Sequence, residues 1–475
     1  MPVLPPLQRR DAWWACWLAG ALILWHLPAF TLIPAVSHDE ITLNAAARSW
    51  TARGAVALSP LAGNGLTYAT AYYWHPPGYL LLVAGAYEAL GFSIEVTRGV
   101  SLASGAVAVA LLFLVLRHLS LSRPMAAAAT ALFASHPLVW WLCRSGRMDL
   151  TAIGFGLAAM LVTLGHAEEK SSARRAGLAG ILIGLGGLVH VMVLVWAPAL
   201  IAADALRNGR IAWKNAIVLG AMAALPVLTW VAVVFAIGDG PAWMEQFVGY
   251  QLGQRHATGP LWLRPLDELT LFARQFRLES LMIPVLAVGM VTGWRERSRA
   301  RWWAAGGAIA AFCLIAVFTS KGTGAYPLYW FVWALLAAAP GMASLRSRTR
   351  AWLLGLAIAN AAAVQLGFAA IALYQREARD PARVDRFFAE HVRAGSIVAG
   401  PEDAWYAVEH AGAQLRIWEK PDPYTQDYYV TYANIPSAPP AGFQLLAELP
   451  DTMPKVLGRY WSSTACSYRL WVPRR

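Results

Sequence analysis

RGVSLASGAVAVALLFLVL, residues 98–116, decides the fold class. From Gly99 to Leu116 it carries no charged side chain, and a bilayer crossing needs roughly 20 mostly apolar residues. The stretch ends in Arg117, with Arg123 soon after, the basic flank expected on the cytoplasmic side. Working outward, similar runs recur at roughly 12–34, 124–142, 149–166, 174–189, 191–206, 215–237, 278–294, 302–319, 325–342 and 351–373, giving about eleven crossings. The two runs that meet at Val189-His190 are short and closely joined.

Composition agrees. Of 475 residues, 58% are hydrophobic and 14% charged, against about 25% charged in soluble domains. The net charge of +12 lies wholly in residues 1–375, because Arg376 to Arg475 holds 12 basic and 12 acidic residues. The basic clusters sit in short loops between apolar runs, so they read as topology signals and not as a nucleic-acid surface. Cys16, Cys143, Cys313 and Cys466 form no CxxC pair, which argues against a disulfide framework or a zinc site.

With the basic loops cytoplasmic, the N-terminus is cytoplasmic. Residues 35–97, the stretch Arg144 to Asp149, the loop 238–277, the stretch around Lys321 and the tail 375–475 then lie outside. The apolar segment Gly78 to Leu90 is too short to span and reads as an interfacial or re-entrant helix. The tail reads as a small α/β domain, with helices at 381–394 and 402–411 and strands at 395–400 and 428–432.

Four polar constellations fall on that outer side. Ser37-His38-Asp39-Glu40 follows the first span; its carboxylates could serve as a general base or hold a metal. Equally, Ser37 with Glu40 fits a capping box for a helix over Ile41 to Trp50. Tyr72 to Tyr79 holds aromatics, a double proline and His75, which could bind phosphate or metal or simply sit in an aromatic belt and turn. Arg144-Ser145-Gly146-Arg147-Met148-Asp149 offers two guanidinium forks suited to phosphate, or a local Arg147–Asp149 pair. Thr319 to Trp330 holds Lys321 and Tyr326 in a hydroxyl-rich turn whose spacing is not that of a P-loop. Gln254, Arg255 and His256 are weaker candidates, and His190 reads as a satisfied buried histidine. Gly180, Gly184, Gly186 and Gly187 suit close helix packing.

The order of these motifs, an acidic pair, HPPGY, RMD and KG…YPLYW, resembles glycosyltransferase family 39 and its bacterial relatives, the protein O-mannosyltransferases and the aminoarabinose transferases of lipid A. The resemblance covers roughly residues 10–340. It implies a GT-C fold in residues 1–374, with its active site at the extracytoplasmic face of the plasma (bacterial inner) membrane. It implies a polyprenyl-phosphate sugar donor and a lipid, glycan or protein acceptor. Carried over by position, Asp39 is the base and Glu40 its acidic partner. His75, Arg147, Asp149, Lys321 and Tyr326 match the later motifs and, with Arg144 on its guanidinium chemistry, are the candidates to contact donor phosphate or substrate. A divalent metal could sit among His38, Asp39, Glu40 and His75. In-line displacement implies inversion at the anomeric carbon. A polyprenyl-lipid or solute transporter, or a non-catalytic envelope scaffold, remains the alternative from sequence alone.

Overall fold

The computed structural model describes residues 7–62, 67–165, 172–252, 260–276, 278–294, 299–318, 325–417, 420–435, 440–456 and 466–474. The membrane unit begins with α1 (Arg9–His26), α2 (His38–Arg53), α3 (Pro77–Leu90), α4 (Ile94–His118), α5 (Arg123–Ala134), α6 (Pro137–Leu142), α7 (Asp149–Leu164) and α8 (Ser172–Val189). It continues with α9 (Trp196–Asn208), α10 (Trp213–Ala236), the single turn α11 (Gly240–Trp243), α12 (Arg264–Gln275), α13 (Met282–Trp294), α14 (Arg299–Phe318), α15 (Pro327–Ser344) and α16 (Ser347–Tyr374).

Helix covers most of each expected span, but α1 ends at His26, so residues 27–34 of the first run are turns and not helix. Among the described residues, seven helical segments are long and apolar enough to cross a membrane by length and composition: α4, α8, 191–208, α10, α14, α15 and α16. The α7 and α13 segments are shorter. The run 124–142 is broken at Ser135-His136, where Pro137 starts α6 and the His136 ring accepts from the Leu138 amide (3.1 Å). His190 repeats the device: its Nδ1 accepts from the Met192 amide (3.1 Å) and opens the 3₁₀ turn that leads into α9. Two runs that hydropathy leaves nearly fused are thus separated by histidine caps.

Glycine permits the tightest helix contacts. A Cβ on Gly180 would fall 2.4 Å from the Leu219 carbonyl oxygen, so α8 lies against α10 as the glycine run suggests. At the centre, α15 is buried almost throughout, with Tyr329, Phe331 and Trp333 fully enclosed. By contrast α10 and α16 turn most of their apolar side chains outward, as lipid-facing helices do.

The tail is an α/β unit: α17 (Arg376–Arg379), α18 (Pro381–His391), β1 (Ile397–Ala399), α19 (Trp405–His410), β2 (Gln414–Arg416), β3 (Tyr428–Tyr432), β4 (Phe443–Leu449) and β5 (Tyr468–Pro473). The sheet order is β2-β1-β3-β5-β4. β1 runs parallel to β2 and β3, and β5 runs antiparallel to β3 and β4. Three of these strands, β2, β4 and β5, are additions to the sequence reading.

Candidate active site

The first turn of α2 presents two adjacent carboxylates in opposite settings. Ser37 Oγ accepts from the Glu40 amide (3.4 Å), which caps the helix. Asp39 faces outward with its side chain 55% exposed, whereas Glu40 is fully buried. The Glu40 carboxylate takes a two-pronged contact from Arg98 on α4, Nε to Oε1 at 3.0 Å and Nη2 to Oε2 at 3.1 Å. Arg98 also donates to the carbonyls of Phe30 (3.4 Å), Thr31 (3.2 Å) and Pro34 (2.9 Å). One enclosed guanidinium therefore fixes both the chain entering α2 and the residue beside Asp39. The capping box is half realised: the serine caps, but the Glu40 side chain turns inward to Arg98 and not back to the Ser37 amide.

Asp39 meets the α6–α7 connection. Arg147 Nη1 donates to Asp39 Oδ2, and Arg147 Nε donates to Asp149 Oδ2 at 2.9 Å. The Arg147 carbonyl accepts from Ser101 (2.9 Å), and its guanidinium lies over the Trp141 ring. Burial pulls the Arg147 pKa down, but the carboxylates of Asp149 and Asp39 outweigh it and hold the group above its ordinary value. The arginine is therefore charged at any working pH. Gly146 makes the turn. Its φ is +56°, and a Cβ there would meet Thr97 Cγ2 at 2.7 Å and Glu40 Cγ at 3.0 Å.

Asp149, fully buried, opens α7 where the helix dipole favours an anion. It accepts from the Tyr329 hydroxyl (3.4 Å) and lies within electrostatic reach of His190. The His190 ring stacks on Tyr329 (5.6 Å) and on His75 (6.2 Å), with Tyr326 edge-on at 5.7 Å. Since His190 Nδ1 accepts a hydrogen bond, the neutral ring carries its proton on Nε2. Motifs from the first loop, the α6–α7 connection, the α8–α9 break and the start of α15 thus converge at one end of the bundle. The opposite end holds the Asp11 pairs with Arg117 (2.9 Å) and Arg123 (2.8 Å).

The comparisons bear on this arrangement. The family described as dolichyl-phosphate-mannose-protein mannosyltransferase matches residues 74–233, about a third of the chain. ArnT from Cupriavidus metallidurans, solved with undecaprenyl phosphate, superposes with a TM-score of 0.67 at 14% identity, over 96% of this chain and 97% of ArnT. The chain has the GT-C fold. The Archaeoglobus fulgidus oligosaccharyltransferase gives a TM-score of 0.52 at 13% identity, over 89% of this chain and 69% of that one. No curated protein matches in sequence.

Within the GT-C frame, the sequence candidates separate. Asp39, Arg147 and Asp149 form one ion-paired chain, with His75 and Tyr326 brought to its edge through His190. Glu40 is withdrawn from the surface and spent on Arg98, so it is a structural anion here. Arg144 is corrected in the same way: it donates to the carbonyls of His26 (2.7 Å), Pro28 (2.9 Å) and Ala29 (3.1 Å) and to His26 Nδ1 (3.0 Å). It closes the C-terminal end of α1, with four of its five N–H donors used inside the protein. Lys321, Gln254, Arg255 and His256 lie outside the described residues. The residues named for a metal do not converge, because Glu40 points into the protein and His38 faces Glu402 at 3.5 Å. Among the described residues no three His, Cys, Asp or Glu side chains come together as a ligand set.

Sequence reasoning underrated His190 and passed over Arg98 and Tyr329. For His190 the signal was its place at the junction of two short spans. Tyr329 stood unremarked inside YPLYW. Nothing local marked Arg98.

Proposed function

We propose that this protein is an inverting glycosyltransferase that moves a sugar from a polyprenyl-phosphate donor to a lipid, glycan or protein acceptor at the extracytoplasmic membrane face. The observation that carries the reading is the Asp39–Arg147–Asp149 chain in a GT-C fold, in which only the outermost carboxylate is exposed. The structural similarity to ArnT, which was crystallised with undecaprenyl phosphate, supports a polyprenyl donor. The orientation with a cytoplasmic N-terminus and an extracytoplasmic tail follows from the basic loops.

In the reaction, the acceptor oxygen forms a bond to the anomeric carbon as its proton passes to the Asp39 carboxylate. The bond from the anomeric carbon to the phosphate oxygen breaks, and polyprenyl phosphate leaves with the electron pair. Arg147 aims Asp39, and the buried Asp149 keeps Arg147 in place. The His190 Nε2–H and the rings of His75 and Tyr326 lie at the edge of this ion-paired chain, on the side that we assign to the leaving phosphate. Attack opposite the leaving group inverts the anomeric configuration.

The test uses purified full-length protein in lipid with a panel of polyprenyl-phosphate sugars, wild type beside Asp39→Asn. Removal of a general base costs roughly 10²- to 10⁴-fold. Wild-type transfer with an inverted product, lost to that extent in a folded Asp39→Asn, supports the reading. Equal turnover by both removes Asp39 from the mechanism. Donor movement between leaflets without transfer favours a flippase.

A further inference from the structure

The tail is seated on α2, the helix that carries Asp39. Its α19 residue Tyr406 is buried and donates its hydroxyl to Glu40 Oε1 at 3.2 Å. Just before α19, Glu402 lies 3.5 Å from His38. Farther along, the buried Glu409 lies 3.6 Å from Arg48 and 3.5 Å from Arg53. These contacts run from the first turn of α2 to its last. Phe92, between α3 and α4, stacks on Tyr406 (5.4 Å) and meets Trp405 edge-on (5.3 Å). Arg48 lies over the same Phe92 ring at 4.5 Å. Polar anchors and an aromatic wedge thus bind the tail to the edge of the candidate active site.

We infer that the C-terminal unit is a positioning clamp for Asp39, and that Tyr406 is its positioning residue, acting through Glu40. The inference rests on the glycosyltransferase reading above. Successive helical residues are set about 100° apart, so fixing the Glu40 side chain fixes the direction of its neighbour. A rotation of α2 by roughly 20° would carry the Asp39 carboxylate through about 1–2 Å at its distance from the helix axis. A misplacement of about 1 Å at a reacting group can cost 10²-fold in rate. Arg98 holds Glu40 from the membrane side. Tyr406 holds the same Oε1 from the tail, so the carboxylate is gripped from two sides, by α4 and by α19. Tyr406 touches no reacting atom; its hydroxyl donates to Glu40 and also meets Thr97 of α4.

The experiment compares full-length wild type, Tyr406→Phe and Glu409→Gln in lipid nanodiscs. Tyr406→Phe keeps the ring that packs on Phe92 and deletes only the hydroxyl. Its kcat is expected to fall about tenfold with the donor KM within about twofold, as a misaligned base requires. Amide exchange across residues 38–44 should quicken by about tenfold while the tail sheet keeps its protection. Glu409→Gln loosens the far anchor and should lower Tm with kcat within about twofold of wild type. Wild-type kcat in Tyr406→Phe, unchanged exchange in α2, or kcat losses that track Tm equally in both variants would each overturn the clamp. If wild type transfers no sugar, the functional reading fails by itself, and the exchange comparison still decides whether Tyr406 holds α2.

Discussion

Replacing Glu40 tests the central ion pair. Glu40→Ala removes the acceptor of two Arg98 hydrogen bonds, at 3.0 and 3.1 Å, and of the Tyr406 hydroxyl. Arg98 has no exposed surface, so its charge is left without a counter-ion in the protein interior. Breaking a buried pair from one side costs about 3–5 kcal/mol. Glu40→Gln should cost less, about 1.5–3 kcal/mol, since its amide oxygen still accepts while its NH₂ opposes Arg98 Nη2. A buried pair replaced on both sides by apolar residues is often neutral or stabilising. Here Glu40→Met with Arg98→Leu should recover only in part, because the half-buried carbonyls of Phe30, Thr31 and Pro34 lose their donors, each at up to about 1 kcal/mol. Thermal unfolding in detergent reads the order. Glu40→Ala should fall on the order of 5 °C or more below wild type, with the double variant and Glu40→Gln between. A double variant that regains wild-type Tm would show that Arg98 serves only its carboxylate, and would refute its role in fixing the chain ahead of α2.

Gly146→Ala should cost roughly 2–5 kcal/mol, from a positive-φ side chain and from a Cβ 2.7 Å from Thr97 Cγ2 and 3.0 Å from Glu40 Cγ; a Tm equal to wild type would contradict this. His190→Phe keeps the ring stack on Tyr329 but deletes the nitrogens, and steady-state kinetics should show at least about tenfold slower transfer. In the tail, Asp403 accepts from the Tyr432 hydroxyl (3.1 Å) while its Oδ2 makes no hydrogen bond. Burial pushes its pKa up from 3.8 to about 7, aided by Glu402 and opposed by the two tyrosine hydroxyls. The folded form then holds a proton that the unfolded chain has released, so stability should fall as pH rises from about 4 to about 7 and level off above. Asp403→Asn should flatten that profile and raise Tm at pH 8, as measured by unfolding across a pH series.

The membrane unit was legible because hydropathy over 18 or more residues is a strong signal and because basic loops order it. The same signal found the junction at His190 but not the break at His136, and it gave the cause of neither, a single ring nitrogen that caps the following turn within an otherwise apolar run. In the tail, β4 escaped because its register shifts between Leu445 and Ala447, which breaks the period-2 alternation. At the site, residue types were readable but partners were not. Arg144 and Arg147 stand three residues apart and look alike, yet one caps α1 and the other binds Asp39. Asp39 and Glu40 are neighbours, yet one is exposed and the other enclosed. What separates them is the guanidinium of Arg98, 58 residues beyond Glu40, and no local pattern announces it.

The charge pattern also reassigns the phosphate contact. Glu40 pairs with Arg98, and Asp39 and Asp149 share Arg147, so the Asp39–Arg147–Asp149 chain carries one net negative charge. A core of that sign activates an acceptor but repels a lipid phosphate. Arg147, expected from its chemistry to hold phosphate, is committed on both sides to carboxylates and serves the base instead. The donor's anion must then be met beyond this core. The His190 Nε2–H and the neighbouring rings of His75 and Tyr326 supply neutral contacts, and the cation that the sequence offers nearest to them is Lys321, five residues before Tyr326. On the proposed reaction, base and leaving-group functions separate into two settings, the ion-paired chain that ends at Asp39 and the ring cluster around His190. A displacement that takes a proton at one end and releases a phosphate anion at the other calls for that separation.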